Sequence, residues 1–279
     1  MKKYIILISI LLFSFVVFAQ EEEQKAEPGI DELAQKLNNP IAAIGTMNTF
    51  IDFKTYKGSL PDADGQTGWS LTFQPSLPKP LGKGINLLFR PAIPVIFSQP
   101  VYNGVDGFES SGFQLGNISF DLALGHVTKK GFLVMGGLIC GLPTATSEEF
   151  RGQFTLGPEL ALGYVSKKVI AGALFTQSWD LSDDPTRKTN VLGGQYFYFF
   201  PIGNGRSIGA APNYSYNWET EELSFPIGIG YSAVTSFGEM PFKYGLQVMY
   251  SVATPDSFGQ VWQIRLQLSP VVKLPWKNK

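Results

Sequence analysis

The chain has 279 residues, with 22 Lys and Arg against 23 Asp and Glu, so no basic excess exists to bind a nucleic acid. One cysteine and one histidine leave no intramolecular disulfide and little for a metal centre, and no cofactor is expected. Thirty glycines, 22 phenylalanines and 11 tyrosines against 16% charged residues favour sheet over helix.

Lys2 and Lys3 precede an apolar stretch from Ile5 to Phe18, and Val17 and Ala19 are small residues at the positions a signal peptidase reads. Residues 1–19 are therefore expected to be a cleaved export signal of a bacterial protein. Residues 20–40 form a polar leader. Within it Ile30, Leu33, Ala34 and Leu37 fall on one helical face, Asp31 and Glu32 lie in the first turn, and "NNP" (38–40) ends the pattern. A short amphipathic helix is predicted. Its expected place is the periplasm, and a plug inside a lumen is the alternative.

From residue 41 to 279 the pattern changes to strict alternation. About twelve segments show it, at 42–57, 66–78, 85–97, 113–127, 132–146, 153–166, 169–181, 189–202, 207–219, 223–237, 242–254 and 260–275. They are long for globular strands and suit tilted strands that cross a bilayer with an overhang. The mean hydropathy of +0.05 looks soluble, but membrane barrels hide their apolar residues in alternate positions. The predicted fold class is all-β, a single antiparallel up-and-down transmembrane β-barrel of about twelve strands with a short N-terminal helix.

The connectors alternate in kind. The set 79–84, 128–131, 167–168, 203–206 and 238–241 is tight and rich in Lys, with Arg206 and a lone Glu239. The other set (58–65, 98–112, 147–152, 182–188, 220–222 and 255–259) is mostly longer and acidic, from Asp62 and Asp64 to Asp256. Outer-membrane barrels show this asymmetry of short periplasmic turns and longer external loops. Trp69, Trp179, Trp218 and Trp262 lie at the loop ends of their segments and Trp276 at the opposite end. Indole favours the headgroup layer, so these five are predicted to form a membrane-interface girdle. In "NYSYNWE" (213–219), Tyr214, Tyr216 and Trp218 would then face lipid and the polar alternates a wet lumen.

The stretches "LAQKLNNPIAAI" (33–44), "RPAIPVI" (90–96), "GLPTAT" (141–146), "GPELALGY" (157–164), "NWE" (217–219), "FPIGIGYSAV" (225–234) and "VWQIRLQLSPV" (261–271) occur in that order. Together they resemble the bacterial outer-membrane barrel family named for the meta-pathway of phenol degradation. The resemblance spans nearly the whole mature chain. It implies an outer-membrane transporter-like or porin-like barrel and, by association, passage of aromatic or apolar compounds; it supplies no catalytic residues. This chain departs from some relatives in continuing past Trp276 with "KNK" rather than ending near an aromatic.

Chemistry, if any, sits on the inward positions. A lipid-facing Arg or Lys near the midplane costs ~2–4 kcal/mol, so Asp52, Arg90, Asp121, Glu159 and Arg265 are predicted to point into the lumen and set its selectivity. Symmetric pairing about the 98–112 loop places Arg90 opposite Asp121. Two readings compete for these charges: a polar pathway with a field across it, or a salt-bridged network that fills a narrow barrel. For Arg90 and Asp121 the network is favoured; for Glu159 and Arg265 the two readings stand level. An outer-membrane hydrolase is the rival class, but His126 lies beside a turn and Ser119 is half a strand away, so no enzyme is expected. A structural barrel with a closed lumen shares every feature above. The expected partners are outer-membrane lipid and lipopolysaccharide, the barrel-assembly machinery and a small-molecule cargo.

Overall fold

A computed structural model describes residues 29–182 and 188–276. The expected export signal and the leader up to residue 28 lie outside these, as do Asp183, Asp184 and Arg187 of one acidic connector. One helix, α1 (Ile30–Asn38), precedes the strands, as the 3.6-residue spacing of its apolar face predicts.

The strands follow in chain order: β1 (Gly45–Lys57), β2 (Thr67–Gly82), β3 (Ile85–Ser98), β4 (Pro100–Tyr102), β5 (Phe108–Ser110), β6 (Gln114–Leu115), β7 (Ser119–Val127) and β8 (Phe132–Gly141). After them come β9 (Thr155–Val165), β10 (Ile170–Asp180), β11 (Asn190–Gly203), β12 (Arg206–Ala210), β13 (Asn213–Asn217), β14 (Glu222–Phe237), β15 (Met240–Ala253) and β16 (Gly259–Val272). Neighbours pair antiparallel, and β1 pairs with β16 while β10 pairs with β11, so the sheet has no free edge. With β6 extending the β7 wall, and β12 and β13 forming one wall strand, the result is a closed barrel of 12 strands.

The pleat separates two chemistries. Along β15, Lys243, Gly245, Gln247, Met249 and Ser251 are buried, while Tyr244, Leu246, Val248, Tyr250 and Val252 between them are exposed. In β16, Gln263, Arg265 and Gln267 are buried and Trp262, Ile264 and Leu266 are exposed. A water-soluble sandwich has the reverse arrangement, because burial of apolar area drives its folding. In these two strands the apolar residues form the outer surface and mostly polar ones line the inside.

Tight turns close one end. Lys83 and Gly84 both take positive φ (51° and 75°), as do Asn204 and Gly205 (55° and 71°), the pair of left-handed residues that a type I′ hairpin requires. β2 runs on through Gly82, so the first turn is two residues rather than the six (79–84) expected. At the opposite end the strands stop earlier than alternation suggests. The segment 113–127 divides into β6 and β7, and 132–146 ends its ladder at Gly141. Residues 142–146 instead bond to 115–118, with Thr144 Oγ1 accepting from Ile118 N at 2.8 Å. The segment 207–219 breaks between β12 and β13 at Ala211–Pro212, where proline has no N–H for the ladder.

Both ends of the barrel carry a closure. At the loop end, β4 and β5 form a small hairpin within the 98–112 connector. Its Phe108 ring lies tilted against Phe258 with centroids 4.3 Å apart, and Phe258 stacks at 4.8 Å on Tyr56 of β1. Tyr56 shares its face of β1 with buried Asp52, so the hairpin folds inward over the mouth. At the turn end, α1 rests against β11, β12 and β14. The chain then enters the barrel, where Ile41 is 1% exposed and joins a buried cluster with Leu88, Met135, Ile170 and Phe197 from four strands. A segment packed this way is a plug rather than a loose tail.

Candidate functional site: the barrel lumen

Asp52, Arg90, Asp121, Glu159 and Arg265 all lie on the inner face, and they assemble into two clusters. Asp121 is the register partner of Arg90, as loop symmetry predicts, and Arg90 Nε donates to Asp121 Oδ2 at 2.6 Å. Arg90 Nη2 also reaches Glu159 Oε1 at 3.2 Å, so one guanidinium serves two carboxylates. Glu159 Oε2 is buried without a hydrogen-bond partner among the described residues. The strands allow this convergence because Glu159 on β9 sits beside Gly137 on β8, where any side chain would strike Ala123.

The second cluster lies where the first and last strands meet. Arg265 is opposite Asp52 across the β1–β16 pair, and its Nε and Nη2 donate to Oδ1 and Oδ2 at 2.8 and 2.9 Å. The fork matches the carboxylate bidentately, the strongest geometry open to this pair. The guanidinium also lies 5.1 Å from the Phe50 ring centroid. Glu159 and Arg265, which had no visible partner in the sequence, are thus both paired.

Two buried polar positions, Lys243 and Asn38, escaped the sequence reading. Lys243 Nζ donates to Asn38 Oδ1 at 2.7 Å and to Leu37 O at 3.5 Å, at the C-terminal end of α1. A cation there answers both the unsatisfied helix carbonyls and the negative end of the helix dipole. Asn38 in turn donates to Ser207 Oγ at 3.0 Å, and Gly205 N donates to Asp31 Oδ1 at 2.6 Å. Parity could have found Lys243, since it lies four residues from inward Gln247; nothing in the sequence announces the helix as its partner. Above the plug remains a cavity of about 140 Å³, lined by Asn38, Asn48, Phe50, Gln195, Gln247, Phe197 and Lys243 among others.

Trp69, Trp179, Trp218 and Trp262 sit at the loop ends of their strands on the outer face, each about half exposed. Trp276 is at the turn end, its Nε1 donating to Pro78 O at 2.9 Å. His126 Nδ1 lies 3.0 Å from Gly84 O, in the adjacent turn.

No family model matches the chain, and no curated protein matches it either. The phenol meta-pathway resemblance therefore rests on its sequence motifs alone. Among solved structures, an outer membrane channel from Pseudomonas putida F1 superimposes with a TM-score of 0.62 at 9% identity, covering 91% of this chain and 100% of that one. The likeness is one of fold. Looser matches include the NanC porin (TM-score 0.46, 8% identity, 81% of this chain and 100% of that chain). Outer membrane phospholipase A from Escherichia coli matches at a TM-score of 0.45 and 13% identity, over 81% of this chain and 90% of its own.

Proposed function

We propose that the chain is an exported bacterial outer-membrane barrel that passes small molecules through its lumen. The observation that carries this reading is the inverted pleat. An unbroken cylinder exposes Leu, Ile, Val and aromatic side chains while it buries Arg, Asp, Gln and Lys beyond the apolar cluster around Ile41, an arrangement that suits hydrocarbon outside and a polar space in that part of the interior. The half-exposed tryptophans at one rim fit the headgroup layer, and the acidic loops beyond them fit the cell surface with its lipopolysaccharide. The fold likeness to a protein described as an outer membrane channel agrees with this reading. Five residues, Asp52, Arg90, Asp121, Glu159 and Arg265, would shape the polar pathway, and the resemblance in sequence suggests apolar or aromatic cargo.

A second reading, a structural barrel with a closed lumen, is favoured by one feature: the plug and the β4–β5 hairpin occupy both ends. Planar-bilayer recording of the refolded full chain separates the two. Steady openings support the channel. Silence from protein that runs as a folded band on an unheated gel overturns it in favour of the closed barrel.

A further inference from the structure

We infer that the lumen cavity is a binding site for a small organic monocarboxylate, with a body about the size of one six-membered ring. The inference deepens the channel reading by naming its substrate class, and it rests on that reading for its physiological meaning.

Charge is the first argument. The cavity lining contains four cations, Lys36, Arg90, Lys243 and Arg265, and no carboxylate. Three are already neutralised. Lys36 is paired with Glu32 at 2.6 Å, Arg90 with Asp121 and Glu159, and Arg265 with Asp52. Lys243 is the exception. It is 4% exposed, and among the described residues its contacts are the neutral Asn38 and Leu37 oxygens and the face of Phe199 at 5.1 Å. A buried cation without a counter-ion is costly, and an anion entering the cavity would relieve that cost.

Donors and size narrow the class. Gln247 accepts from Ala211 N through Oε1 at 2.9 Å, which leaves its NH₂ group to donate. A carboxylate could therefore take one charge-assisted bond from Lys243 and a neutral one from an amide on the same strand, two residues on either side of Gly245. The volume of about 140 Å³ is close to that of engineered cavities, about 150 Å³, that accept a single benzene ring. Phe50, Phe197 and Phe199 offer apolar surface to such a body. A phosphate ester would bring a second negative charge for which no second free cation exists among the described lining residues.

The test uses the full chain in detergent, titrated calorimetrically with benzoate, benzyl alcohol and benzylamine, which share one ring and differ in charge. Benzoate is expected to bind about tenfold or more tightly than the other two, the effect of one charge-assisted hydrogen bond. Lys243→Met should remove that preference and Lys243→Arg should keep it. Because Lys243 also holds the helix, Gln247→Leu is the second variant; it leaves the helix contacts alone and should weaken benzoate but not benzyl alcohol. Equal binding of benzoate and benzyl alcohol, or benzoate affinity unchanged in Lys243→Met, overturns the inference. Binding is read without flux, so silent bilayer recordings with benzoate preference intact would sink the channel reading alone. Conductance without that preference would sink only this inference.

Discussion

Arg265 and Asp52 join the two ends of the chain: their bidentate bridge spans the one strand pair, β1 with β16, that closes the cylinder. The partners are 213 residues apart in sequence and both are at least nine-tenths buried. Removing one side leaves a buried charge alone, which costs about 3–5 kcal/mol, whereas replacing both with apolar groups is often close to neutral. Asp52→Asn and Arg265→Met are therefore each expected to lower the urea midpoint of the folded band sharply. The double variant Asp52→Leu with Arg265→Met should recover most of the loss. A double variant no better than the singles would mean that the pair contributes more than mutual neutralisation.

Arg90 poses a different balance, with two carboxylates on one guanidinium. Asp121 makes the shorter bond, while Glu159 is held at 3.2 Å and leaves Oε2 buried and unpartnered. Glu159→Gln removes the surplus charge and is expected to change stability by less than about 1 kcal/mol, in either direction. Asp121→Asn removes the stronger acceptor and should cost about 2–3 kcal/mol, the scale of a lost charge-assisted bond in a buried site. Equal losses in the same urea titration would contradict this ordering.

The tryptophans offer a test of depth. If Trp69, Trp179, Trp218 and Trp262 share one interface, single-tryptophan variants in vesicles should be quenched strongly by lipids brominated near the headgroup. Bromine at the chain ends should quench them weakly. In vesicles with one orientation, Trp276 should answer only to quencher on the opposite leaflet. Any of the first four quenched best from the bilayer centre would place its strand at the wrong height.

These cases also show what the sequence could reveal. Alternation is a local property of the pleat, so the wall strands, the inward face of Arg265 and the register of Arg90 with Asp121 were all readable. The ends of ladders were not. The break between β6 and β7 depends on Thr144 and Asn117 bonding across loops, and the gap at Pro212 is hidden because alternation keeps its phase through it. The hairpin within 98–112 is held by rings from β1 and from the β15–β16 loop, far away in sequence. The plug was least legible of all: Asn38 and Lys243 are 205 residues apart, and no periodicity relates a helix end to a strand face.

That plug yields the last prediction. Gly125 faces the lumen on β7, and a Cβ there would approach Ile41 Cγ2 to 2.9 Å, closer than side chains pack. The glycine's bareness is what lets Ile41 enter; next to it, Asn86 Nδ2 donates to Ile41 O at 2.9 Å. A side chain at 125 can be accommodated in one of two ways, by bending the β3–β7–β8 wall or by displacing the plug. The wall is fixed by ladders on both sides of β7, whereas the 39–44 segment belongs to no strand, so the plug should yield. Gly125→Val is therefore expected to give a folded barrel whose N-terminal segment becomes sensitive to protease. Its conductance should be severalfold above that of the parent. Releasing the other end of the same segment with Asn38→Ala, which removes bonds to Lys243 and Ser207, should act in the same direction. Protease-resistant Gly125→Val protein with unchanged conductance would show that residues 39–44 do not limit passage, and the constriction would then have to lie at the two ion clusters or beneath the aromatic hairpin.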